Sequence, residues 1–438
     1  MNTFSIVTLG CKVNQFESDA LTGLLTAAGW RQVTGNAPAD LCIVNTCTVT
    51  GRSAGQSRQL LRHFRRENPG AFIIATGCYA TVAGGEVRDL ECVDCVVSHD
   101  AKHKIPEIAA RLRSLPEPIP TESVTGGSSA DMFSCFAAAP FTGSRARPVL
   151  KIQDGCNAFC SYCIVPHARG RSVSMPPDDV LAAVRRFSSA GYPEVVLTGI
   201  HLGAYGLDLM PPHSLYRLLA TITETGAIGR VRLSSLEPRE LTNDILDLAA
   251  RSGRICAHFH LPLQSGSDAV LKRMNRPYTA AFFKERVAAV KTIIPEAAIG
   301  VDVLCGFPGE GDSEFAETVA LLNDLPVSYL HVFPFSSRPG TPAAGFPDPV
   351  PPAVISERCR VLRRMSADFR ERFSRQQKGR TEIIRIEDQR DRVTGLLKGV
   401  TANYLTVLVE GDAAITNRDI PVTIGDCLGG LRVRGGID

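Results

Sequence analysis

Two long stretches of the chain alternate short β-branched runs with amphipathic helical runs, and this alternation constrains the fold more than any other feature. In the first stretch, strands are predicted at residues 4–9, 41–45, 72–76 and 95–98. Helices are predicted at residues 17–28, 54–67 and 104–113. Strands joined through helices pair in parallel, because a helical crossover returns the chain to the same edge of the sheet. The first stretch therefore predicts a doubly wound parallel sheet, an α/β fold.

A second alternation starts at Val149 and contains six strand and helix units. Its strands are predicted at residues 149–153, 194–199, 230–234, 258–263, 298–304 and 329–334. Its helices are predicted at residues 177–190, 215–225, 244–251, 280–293 and 313–323. Six units are two fewer than the eight that close a TIM barrel. We expect a partial TIM barrel that is open on one side, with room for a large substrate.

The 438 residues are enough for about three domains. Residues 1–115 are predicted to form the sheet domain, and residues 146–375 the partial barrel. Residues 116–145 are rich in Pro, Gly and Ser without a period, which predicts a linker, and residues 376–438 have the short β runs of a small antiparallel barrel. No apolar run approaches 18 residues and no signal-peptide pattern is present, so we expect a cytoplasmic protein without a membrane partner.

The strongest chemical signal is the CxxxCxxC run directly after the first barrel strand, formed by Cys156, Cys160 and Cys163. Thiolates are soft ligands that suit iron–sulfur clusters or zinc. A 4Fe–4S cluster commonly has four cysteine ligands, so three ligands leave one iron free to bind a cofactor or substrate. The position after a barrel strand is where active sites of this fold lie. A structural zinc loop with a remote fourth ligand is the alternative.

Three cysteines of the first domain occupy equivalent positions. Cys11, Cys47 and Cys78 each follow a predicted strand, so all three lie at the carboxyl edge of one parallel sheet, where open α/β folds bind ligands. Gly10 and Gly77 allow close backbone approach, and the helix N-terminus after each loop favours anionic thiolates. We expect a second three-cysteine iron–sulfur cluster; the alternative is a coincidence of three unrelated core cysteines.

The remaining cysteines are expected to be structural. Cys42 and Cys305 lie in apolar patterns and suit small core positions. Cys92 and Cys95 form a CxxC pair, which can ligate metal or change redox state, but no second pair is spaced to complete a four-thiolate site. The others are Cys135, Cys256, Cys359 and Cys427. The histidines expected to line the barrel mouth through hydrogen bonds are His167, His201, His258 and His260.

The CxxxCxxC run resembles that of the radical S-adenosylmethionine (SAM) superfamily, in which SAM chelates the unique iron of a 4Fe–4S cluster. The aromatic Tyr162 before the third cysteine fits this resemblance. The resemblance implies reductive cleavage of SAM to a 5′-deoxyadenosyl radical. By the same resemblance, the residues at two strand ends are candidates for SAM binding: Thr198, Gly199, Ser234, Ser235 and Glu237. Ordinary turn chemistry at strand ends is the alternative for these residues.

Nearly the whole chain resembles the MiaB-like methylthiotransferases, in which a three-cysteine domain, a radical SAM barrel and a TRAM domain follow in this order. Further similar stretches are HLPLQSGSD (260–268), MNRPYT (274–279), DVLCGFPGE (302–310) and FPFSSRPGTPA (333–343). The resemblance implies two 4Fe–4S clusters and SAM as cofactors. One SAM methylates a sulfur on the first-domain cluster, and a second yields the radical that takes hydrogen from carbon 2 of an adenine. The implied partners are the anticodon stem-loop of tRNA, a reductant such as flavodoxin or ferredoxin, and a sulfur donor.

The motif GCKVN at residues 10–14 indicates the substrate. This form resembles the branch of the family that acts on N6-threonylcarbamoyladenosine next to the anticodon. The branch that acts on isopentenyladenosine more often has Gln-Met after this cysteine, and the branch that acts on a ribosomal protein has Pro-Lys. These two substrates are alternatives. An alternative of another class is a non-catalytic iron–sulfur electron carrier or RNA-binding protein.

Positive charge is concentrated in one predicted helix. The whole chain has a net charge of +3, whereas residues 357–380 hold nine Lys or Arg and three acids, a net of +6. Such a helix favours RNA phosphates, with a solvated charged face as the alternative. Its candidates are Arg363, Arg364, Arg370 and Arg372, and a helix of the first domain adds Arg58, Arg62, Arg65 and Arg66. Residues 381–438 have nine acids and seven bases, so only the TRAM resemblance suggests RNA contact there, with Tyr404 as a stacking candidate.

Overall fold

The computed structural model describes residues 2–35, 37–114, 122–127, 129–140 and 146–437. Its N-terminal part is a parallel sheet in the order β2-β1-β3-β4-β5-β6. The strands are β1 (Thr3–Thr8), β2 (Arg31–Gln32), β3 (Leu41–Thr46), β4 (Phe72–Gly77), β5 (Cys95–Val97) and β6 (Glu122–Val124). The predicted doubly wound parallel sheet is confirmed.

Helices cover both faces of this sheet. They are α1 (Lys12–Ala27), α2 (Gly51–Glu67), α3 (Cys78–Val82), α4 (Gly84–Arg88), α5 (Ile105–Ser114) and α6 (Ser129–Ala138). Successive strand residues alternate between two cores, because side chains along a strand point to opposite faces. Ile43 and Ile74 lie in the core with α1, α5 and α6, whereas Val44 and Ile73 lie in the core with α2. The strands are therefore apolar on both faces, as buried parallel strands require.

The segment 116–145, predicted as a linker without regular structure, contains β6 and α6. The strand β6 extends the edge of the sheet by pairing with β5, and Phe133 and Phe136 of α6 are buried in the larger core. A three-residue strand leaves almost no periodic signal, because the neighbouring strand rather than its own sequence stabilises it. Residues 115–121, 128 and 141–145 lie outside the described residues, and the domain boundaries stay predictions.

Six parallel strands form the central partial barrel, which is called the half barrel below. They are β7 (Val149–Lys151), β10 (Glu194–Thr198), β11 (Arg230–Leu233), β12 (His258–Gln264), β13 (Ala298–Cys305) and β14 (Tyr329–Pro334), with an antiparallel pair, β8 (Gln153–Asp154) and β9 (Val173–Ser174), after the first of them. The ladders are β7-β10-β11 and β12-β13-β14. A bridge between Val231 and Ile255, and a 2.9 Å hydrogen bond from Leu236 N to His260 O, join the two ladders. The predicted six-unit partial barrel is confirmed.

The helices of the half barrel are α7 (Val165–Arg169), α8 (Pro177–Ser189), α9 (Leu215–Glu224), α10 (Asn243–Ser252), α11 (Asp268–Arg273), α12 (Ala280–Ile293), α13 (Asp312–Asp324) and α14 (Pro352–Gln376). Three begin at hydroxyl caps: Ser214, Thr242 and Thr279 each accept a hydrogen bond from a backbone amide three residues later. None of the helices in the described residues combines the length and apolar character needed to cross a membrane.

The C-terminal part is a closed five-stranded barrel in the order β15-β16-β17-β19-β18. Its strands are β15 (Thr381–Arg390), β16 (Leu397–Val400), β17 (Thr406–Val409), β18 (Asp419–Gly429) and β19 (Arg432–Gly436). The predicted small barrel is confirmed, although β17 and β19 pair in parallel. An odd number of strands cannot close with antiparallel pairs alone, so one parallel pair is required.

The C-terminal barrel covers the amino end of the half barrel. Asn403 Nδ2 donates a 3.3 Å hydrogen bond to the carbonyl of Glu296, which precedes β13. Arg385 donates a 2.9 Å hydrogen bond to the carbonyl of Gly191, which precedes β10. The CxxxCxxC loop lies at the opposite, carboxyl end of the strands. The half barrel therefore separates the C-terminal barrel from this loop.

Candidate active site

The loop of Cys156, Cys160 and Cys163 is held by its own backbone between β8 and α7. Cys156 N donates a 3.1 Å hydrogen bond to Gly170 O, and Cys163 N donates a 3.0 Å bond to Cys160 O. A side chain at Gly155, whose φ is +69°, would place its Cβ 2.0 Å from a backbone oxygen of the returning chain. Only glycine fits this turn, so the sequence GC at the start of the loop has a steric cause.

Polar groups of the half barrel contact the thiols of this loop. His201 Nδ1 lies 3.5 Å from Cys156 Sγ, and Arg276 donates a 3.3 Å hydrogen bond to Cys160 Sγ. Burial raises the pKa of the Cys163 thiol to about 12, so its thiolate needs a bound cation. Burial alone would lower the pKa of His201, but hydrogen bonds to Cys156 and Glu240 raise it to about 10. These donors and their charge suit anionic sulfur ligands.

Cys11, Cys47 and Cys78 converge at the carboxyl ends of β1, β3 and β4, which are neighbours in the sheet. A Cβ on Gly10, whose φ is +97°, would lie 2.9 Å from Cys47 Sγ, and one on Gly77, whose φ is +96°, would lie 2.4 Å from a backbone oxygen. The close backbone approach expected for both glycines is confirmed. Cys47 and Cys78 are buried, and Cys11 is exposed.

The three sulfur atoms of each triad are too widely spaced for a single zinc ion. Among the described residues, the groups of three or more ligand atoms that lie within 4.8 Å of one another contain neither cysteine triad. Three thiolates on one tetrahedral zinc would lie about 3.8 Å apart, given zinc–sulfur bonds of about 2.3 Å. Neither triad is therefore arranged to hold a single tetrahedral zinc ion through all three thiolates.

Arg169, at the end of α7, joins the two domains beside the first-domain triad. Its Nε donates a 3.3 Å hydrogen bond to Cys78 Sγ. Its Nη1 donates to Asp154 Oδ1 at 2.8 Å and to Glu17 Oε1 at 3.1 Å, and its Nη2 donates to Asn14 Oδ1. The guanidinium is buried. Its contacts with Cys78, Glu17 and Asn14 join the half barrel to the sheet domain. Its contact with Asp154 joins α7 to the strand that precedes the cysteine loop.

Further buried charges complete what we call the junction network: Glu17, His99, Lys102, Lys151, Asp154 and Arg169. Burial by itself would raise the pKa values of Glu17 and Asp154, but the surrounding cations hold both well below their usual values. Burial, and after it Arg169, lowers the pKa of His99 to about 4, so this histidine is neutral at pH 7. Three cations and two carboxylates leave a net charge of +1 next to the Cys78 sulfur.

The strand ends proposed for SAM binding surround the cysteine loop. The carbonyl of Thr198 accepts a 2.9 Å hydrogen bond from Ile152 N, and a Cβ on Gly199 would lie 2.8 Å from an oxygen of the Gln153 side chain. Glu237 pairs with Arg276, which also contacts the loop, and burial raises the pKa of Glu237. Arg276 thus links Glu237 to Cys160, and SAM contact stays a prediction for Thr198, Gly199 and Glu237.

The three other residues predicted to bind SAM each have different surroundings. The oxygen of Ser234 is buried and has no hydrogen-bond partner in the described part of the chain. Ser235 Oγ lies 2.7 Å from His260 Nδ1 inside the barrel. The ring of Tyr162 packs against the edge of Phe307, at 6.5 Å between centroids.

Among the histidines, three are hydrogen-bonded in the half barrel, but His258 differs from the prediction because it begins β12, at the amino end of the strands and away from the mouth. His258 Nε2 lies 2.7 Å from Tyr329 Oη, and His260 Nδ1 lies 2.7 Å from Ser235 Oγ. His201 contacts Cys156 as described above. His167 differs because it is exposed on the short helix α7. A helix of five residues has an outer face even beside a buried loop.

The remaining cysteines take the positions expected of structural residues. Six are buried, namely Cys42, Cys92, Cys95, Cys256, Cys305 and Cys359, and two are half-buried, namely Cys135 and Cys427. Cys42 and Cys305 lie in the hydrophobic cores, as their apolar sequence context predicts.

The basic helix is α14, and it presents three of its four named arginines to solvent. Arg363, Arg364 and Arg372 are exposed. Arg370 is half-buried, with its guanidinium carbon 5.8 Å from the centre of the Tyr329 ring. This arginine differs from the prediction because it lies beside the buried face of α14, which packs on β14. RNA contact stays a prediction for Arg370, with less of its side chain open to solvent than in the other three.

Tyr404 and the arginines of α2 also have partners within the chain. The Tyr404 ring stacks on His258 at 4.3 Å and is 37% exposed, so only part of its surface is free for RNA. Arg58 donates a 2.7 Å hydrogen bond to Tyr79 Oη, and Arg65 pairs with Asp94 at 2.5 Å. Of the four arginines named from the sequence, two are exposed and line a cavity of about 750 Å³: Arg62 and Arg66.

Arg169 and Arg276 are the contacts that sequence reasoning missed. Both had a positional signal: Arg169 lies six residues after the last cysteine of CxxxCxxC, and Arg276 lies in the MNRPYT stretch. Neither position identifies the sulfur atom that the arginine contacts, because that pairing depends on the packing of distant segments.

The half barrel carries three thiols at its carboxyl end, and the sheet domain carries three more. Together these features define the class of protein. Residues 150–322 match the model of the Radical SAM superfamily, and residues 3–117 match the family described as Uncharacterized protein family UPF0004. The protein is a radical SAM enzyme.

Comparison with related proteins identifies the family within the radical SAM enzymes. A threonylcarbamoyladenosine tRNA methylthiotransferase MtaB of Bacillus subtilis (strain 168) is 38% identical, with 97% of this chain and 94% of that protein covered. A protein of the same name from Aquifex aeolicus (strain VF5) is 36% identical, covering 92% and 96%. A tRNA-2-methylthio-N(6)-dimethylallyladenosine synthase of Pelotomaculum thermopropionicum is 31% identical, covering 97% and 95%. The chain belongs to the radical SAM methylthiotransferase family, whose cofactors are SAM and two 4Fe–4S clusters.

Solved structures share the fold. The radical SAM methyltransferase TsrM of Kitasatospora setae, with cobalamin and a 4Fe–4S cluster bound, has a TM-score of 0.56 and 15% identity. The match covers 78% of this chain and 77% of that chain. At this identity the likeness concerns the architecture.

Proposed function

We propose that the protein is a tRNA methylthiotransferase that converts N6-threonylcarbamoyladenosine, next to the anticodon, to its 2-methylthio derivative. The observation that carries the proposal is the presence of two cysteine triads at the carboxyl edges of two adjoining domains. Relatives named for this substrate reach 38% identity, and those named for dimethylallyladenosine reach 33%. The motif GCKVN supports the same substrate.

In this proposal, Cys156, Cys160 and Cys163 hold the cluster that binds SAM, and Cys11, Cys47 and Cys78 hold the second cluster. When bound, the first cluster supplies the electron that cleaves SAM, and the second carries the sulfur that is transferred. His201 and Arg276 compensate the charge of the first set of thiolates, and Arg169 compensates that of the second. Tyr162, Thr198, Gly199, Ser234 and Glu237 are the proposed SAM contacts.

RNA capture is proposed for the exposed part of α14. Arg363, Arg364 and Arg372 supply the charge for phosphate contacts, with a smaller contribution from Arg370 and Tyr404, which have partners inside the chain. The proposed partners are the anticodon stem-loop, a reductant such as flavodoxin or ferredoxin, and a sulfur donor. The proposed location is the cytoplasm, where tRNA is modified.

Mass spectrometry of tRNA nucleosides tests the proposal. Cells without the gene should lack 2-methylthio-N6-threonylcarbamoyladenosine and accumulate its unthiolated precursor, and the wild-type gene should restore it. A gene encoding Cys11→Ala should not restore it, whereas Cys427→Ala should, because Cys427 belongs to neither triad. Loss of the isopentenyl derivative instead, or of a modified ribosomal protein, would contradict the proposed substrate.

A further inference from the structure

Inside the half barrel, two histidines and one carboxylate project from three neighbouring strands. They are His260 of β12, Asp302 of β13 and His331 of β14. Asp302 pairs in register with His331 on one side and with Pro262, two residues beyond His260, on the other. Residues two apart on a strand share a face of the sheet. The three side chains therefore lie on the same face, and none of them belongs to a cysteine triad.

One ligand atom from each of these residues converges on a common point. His260 Nε2 lies 3.2 Å and His331 Nδ1 lies 3.3 Å from Asp302 Oδ1. A ligand atom of each residue lies within 4.8 Å of those of the other two. Two ligands of a tetrahedral zinc ion, at bonds of about 2.0–2.1 Å, are about 3.4 Å apart. The two measured separations are close to this value.

Hydrogen bonds do not account for this convergence. In the part of the chain that the structure describes, His260 Nε2 and Asp302 Oδ1 are buried and have no hydrogen-bond partner. The whole of His260 is only 8% exposed. Buried polar atoms without a partner are unfavourable, so the arrangement requires something that both atoms can bind. A metal cation is such a partner for an imidazole nitrogen and a carboxylate oxygen.

The second ring nitrogen of His260 is held as in metal-ligating histidines. His260 Nδ1 lies 2.7 Å from Ser235 Oγ, which follows β11. A histidine that binds a metal usually has its other nitrogen in a hydrogen bond, which fixes the orientation of the ring. This contact leaves Nε2 directed at Asp302.

The site is closed on one side and open on the other. The ring of Tyr329 stacks on that of His260 at 6.1 Å between centroids, and Gly300 permits this position because a Cβ there would lie 2.2 Å from the Tyr329 ring. The side chain of His331, by contrast, is 47% exposed. A fourth coordination position on the side of His331 is therefore accessible to a ligand from solvent.

We propose that His260, Asp302 and His331 bind one zinc ion, whose fourth position takes water or an anionic oxygen of a bound ligand. Two imidazoles and one carboxylate with an open position are a ligand set of zinc sites that bind water or substrate. Two neutral ligands and one carboxylate leave the ion with a net charge of +1, which attracts an oxyanion into the half barrel. This third metal site is independent of the substrate proposed above.

Zinc binding to the anaerobically reconstituted holoenzyme tests the proposal, because iron–sulfur clusters then occupy both cysteine triads. The protein is dialysed against zinc chloride, and zinc and iron are measured by mass spectrometry. We expect one zinc ion per chain at unchanged iron content. X-ray absorption at the zinc edge should show only nitrogen and oxygen neighbours at about 2.0–2.1 Å, without the sulfur neighbours at about 2.3 Å that cysteine ligands would give.

Variants of the cluster test the ligands. His331→Gln and Asp302→Asn should each weaken zinc binding more than about 100-fold, since loss of an outer hydrogen-bond partner of a ligand alone costs about 10–100-fold. His63→Gln, at a half-exposed position of α2, is the matched control and should bind zinc as the wild type does. If Asp302→Asn does not fold, His331→Gln decides, because its side chain is half-exposed.

Three results would overturn the proposal. They are a wild-type holoenzyme that binds no zinc, sulfur neighbours at the zinc edge, and equal zinc affinities of His331→Gln and His63→Gln. Iron beyond the content of two clusters that disappears in His331→Gln would assign the site to iron and overturn zinc. None of these results bears on the methylthiolation of tRNA, which is measured separately.

Discussion

At the residue scale, three of the six triad sulfur atoms lie within hydrogen-bond distance of an arginine or histidine side chain. Arg169 contacts Cys78, Arg276 contacts Cys160, and His201 contacts Cys156. Hydrogen bonds and positive charge at a sulfur ligand favour the more negative, reduced form of an iron–sulfur cluster. These residues therefore influence the reduction potentials as well as the shape of the site.

Replacing Arg169 by Gln should lower the reduction potential of the first-domain cluster, because the change removes a positive charge next to Cys78. It should also lower the free energy of unfolding by roughly 3 kcal/mol, since buried acceptors lose their donor. The potential is measured by a redox titration followed by EPR, in a protein whose Cys156, Cys160 and Cys163 are replaced by Ala. Denaturant unfolding gives the stability.

Arg171→Gln is the control for this prediction, because Arg171 is exposed and only two residues away. Arg171→Gln should change neither the reduction potential of the first-domain cluster nor the free energy of unfolding. A potential for Arg169→Gln equal to that of the control would show that Arg169 has no electrostatic effect on the cluster.

The junction network also predicts a pH dependence of stability. The pKa of His99 is lowered to about 4 in the folded protein, so the unfolded chain binds the proton more readily. The stability that neutral His99 contributes should be fully present above the ordinary pKa of histidine, about 6.5. This contribution should fall as the pH falls below that value. Between pH 7 and pH 5 this amounts to about 2 kcal/mol. Glu17 and Asp154, whose pKa values are depressed, add a further loss below about pH 4.5.

Urea unfolding at a series of pH values measures this effect. His99→Gln should flatten the pH dependence between pH 7 and pH 5, whatever its effect on the stability at pH 7. His63→Gln, at a half-exposed position of α2, should leave the slope as in the wild type. An unchanged slope for His99→Gln would mean that His99 is not the titrating group.

At the scale of elements, α14 has two faces with different roles. Leu362, Ser366, Phe369 and Phe373 are buried against the rest of the molecule, at the spacing of one helical face. The opposite face carries the exposed arginines. The net charge of the segment was readable from the sequence, but the half-buried position of Arg370 required the packing on β14.

Changing Arg363, Arg364 and Arg372 together to Gln should weaken tRNA binding and flatten the dependence of log affinity on log salt. The slope should fall by up to about one unit for each RNA phosphate that the variant no longer neutralises. Fluorescence anisotropy over a range of salt concentrations measures both effects. Iron content should stay unchanged because these residues are exposed and belong to neither cysteine motif.

Arg217, Arg251 and Lys284 provide the matched control, as three exposed cations on the outer helices of the half barrel. Their joint replacement by Gln should leave the salt dependence close to that of the wild type. Equal slopes for the two triple variants would contradict a specific role of α14 in RNA binding.

At the scale of the whole molecule, the two triads belong to different folding units that share the buried junction network. The reconstituted protein should contain about eight iron atoms, and replacing Cys156, Cys160 and Cys163 by Ala should leave about four and abolish SAM cleavage. Iron analysis and chromatography of 5′-deoxyadenosine measure these quantities. A variant that retains all its iron would contradict the ligand assignment.

The opposite variant separates the roles of the triads. Replacing Cys11, Cys47 and Cys78 by Ala should leave 5′-deoxyadenosine formation but abolish methylthiolated nucleoside, because the sulfur carrier is removed while the SAM cluster remains. Liquid chromatography with mass spectrometry measures both products in one reaction. Methylthiolated tRNA formed at the normal rate would show that the first-domain triad is structural.

The sequence by itself determined the two βα alternations, the small C-terminal barrel and the position of each cysteine triad after a strand. These features follow from local periodicity and from the rule that parallel strands end at a common edge. Only the tertiary structure decided the edge strand β6 and the half-buried position of Arg370 beside β14. It also decided the junction network, in which Arg169 contacts Asn14 across 155 positions of the chain. Such contacts join segments that are distant in sequence, so no local pattern records them, whereas strands and helices repeat their pattern over neighbouring residues.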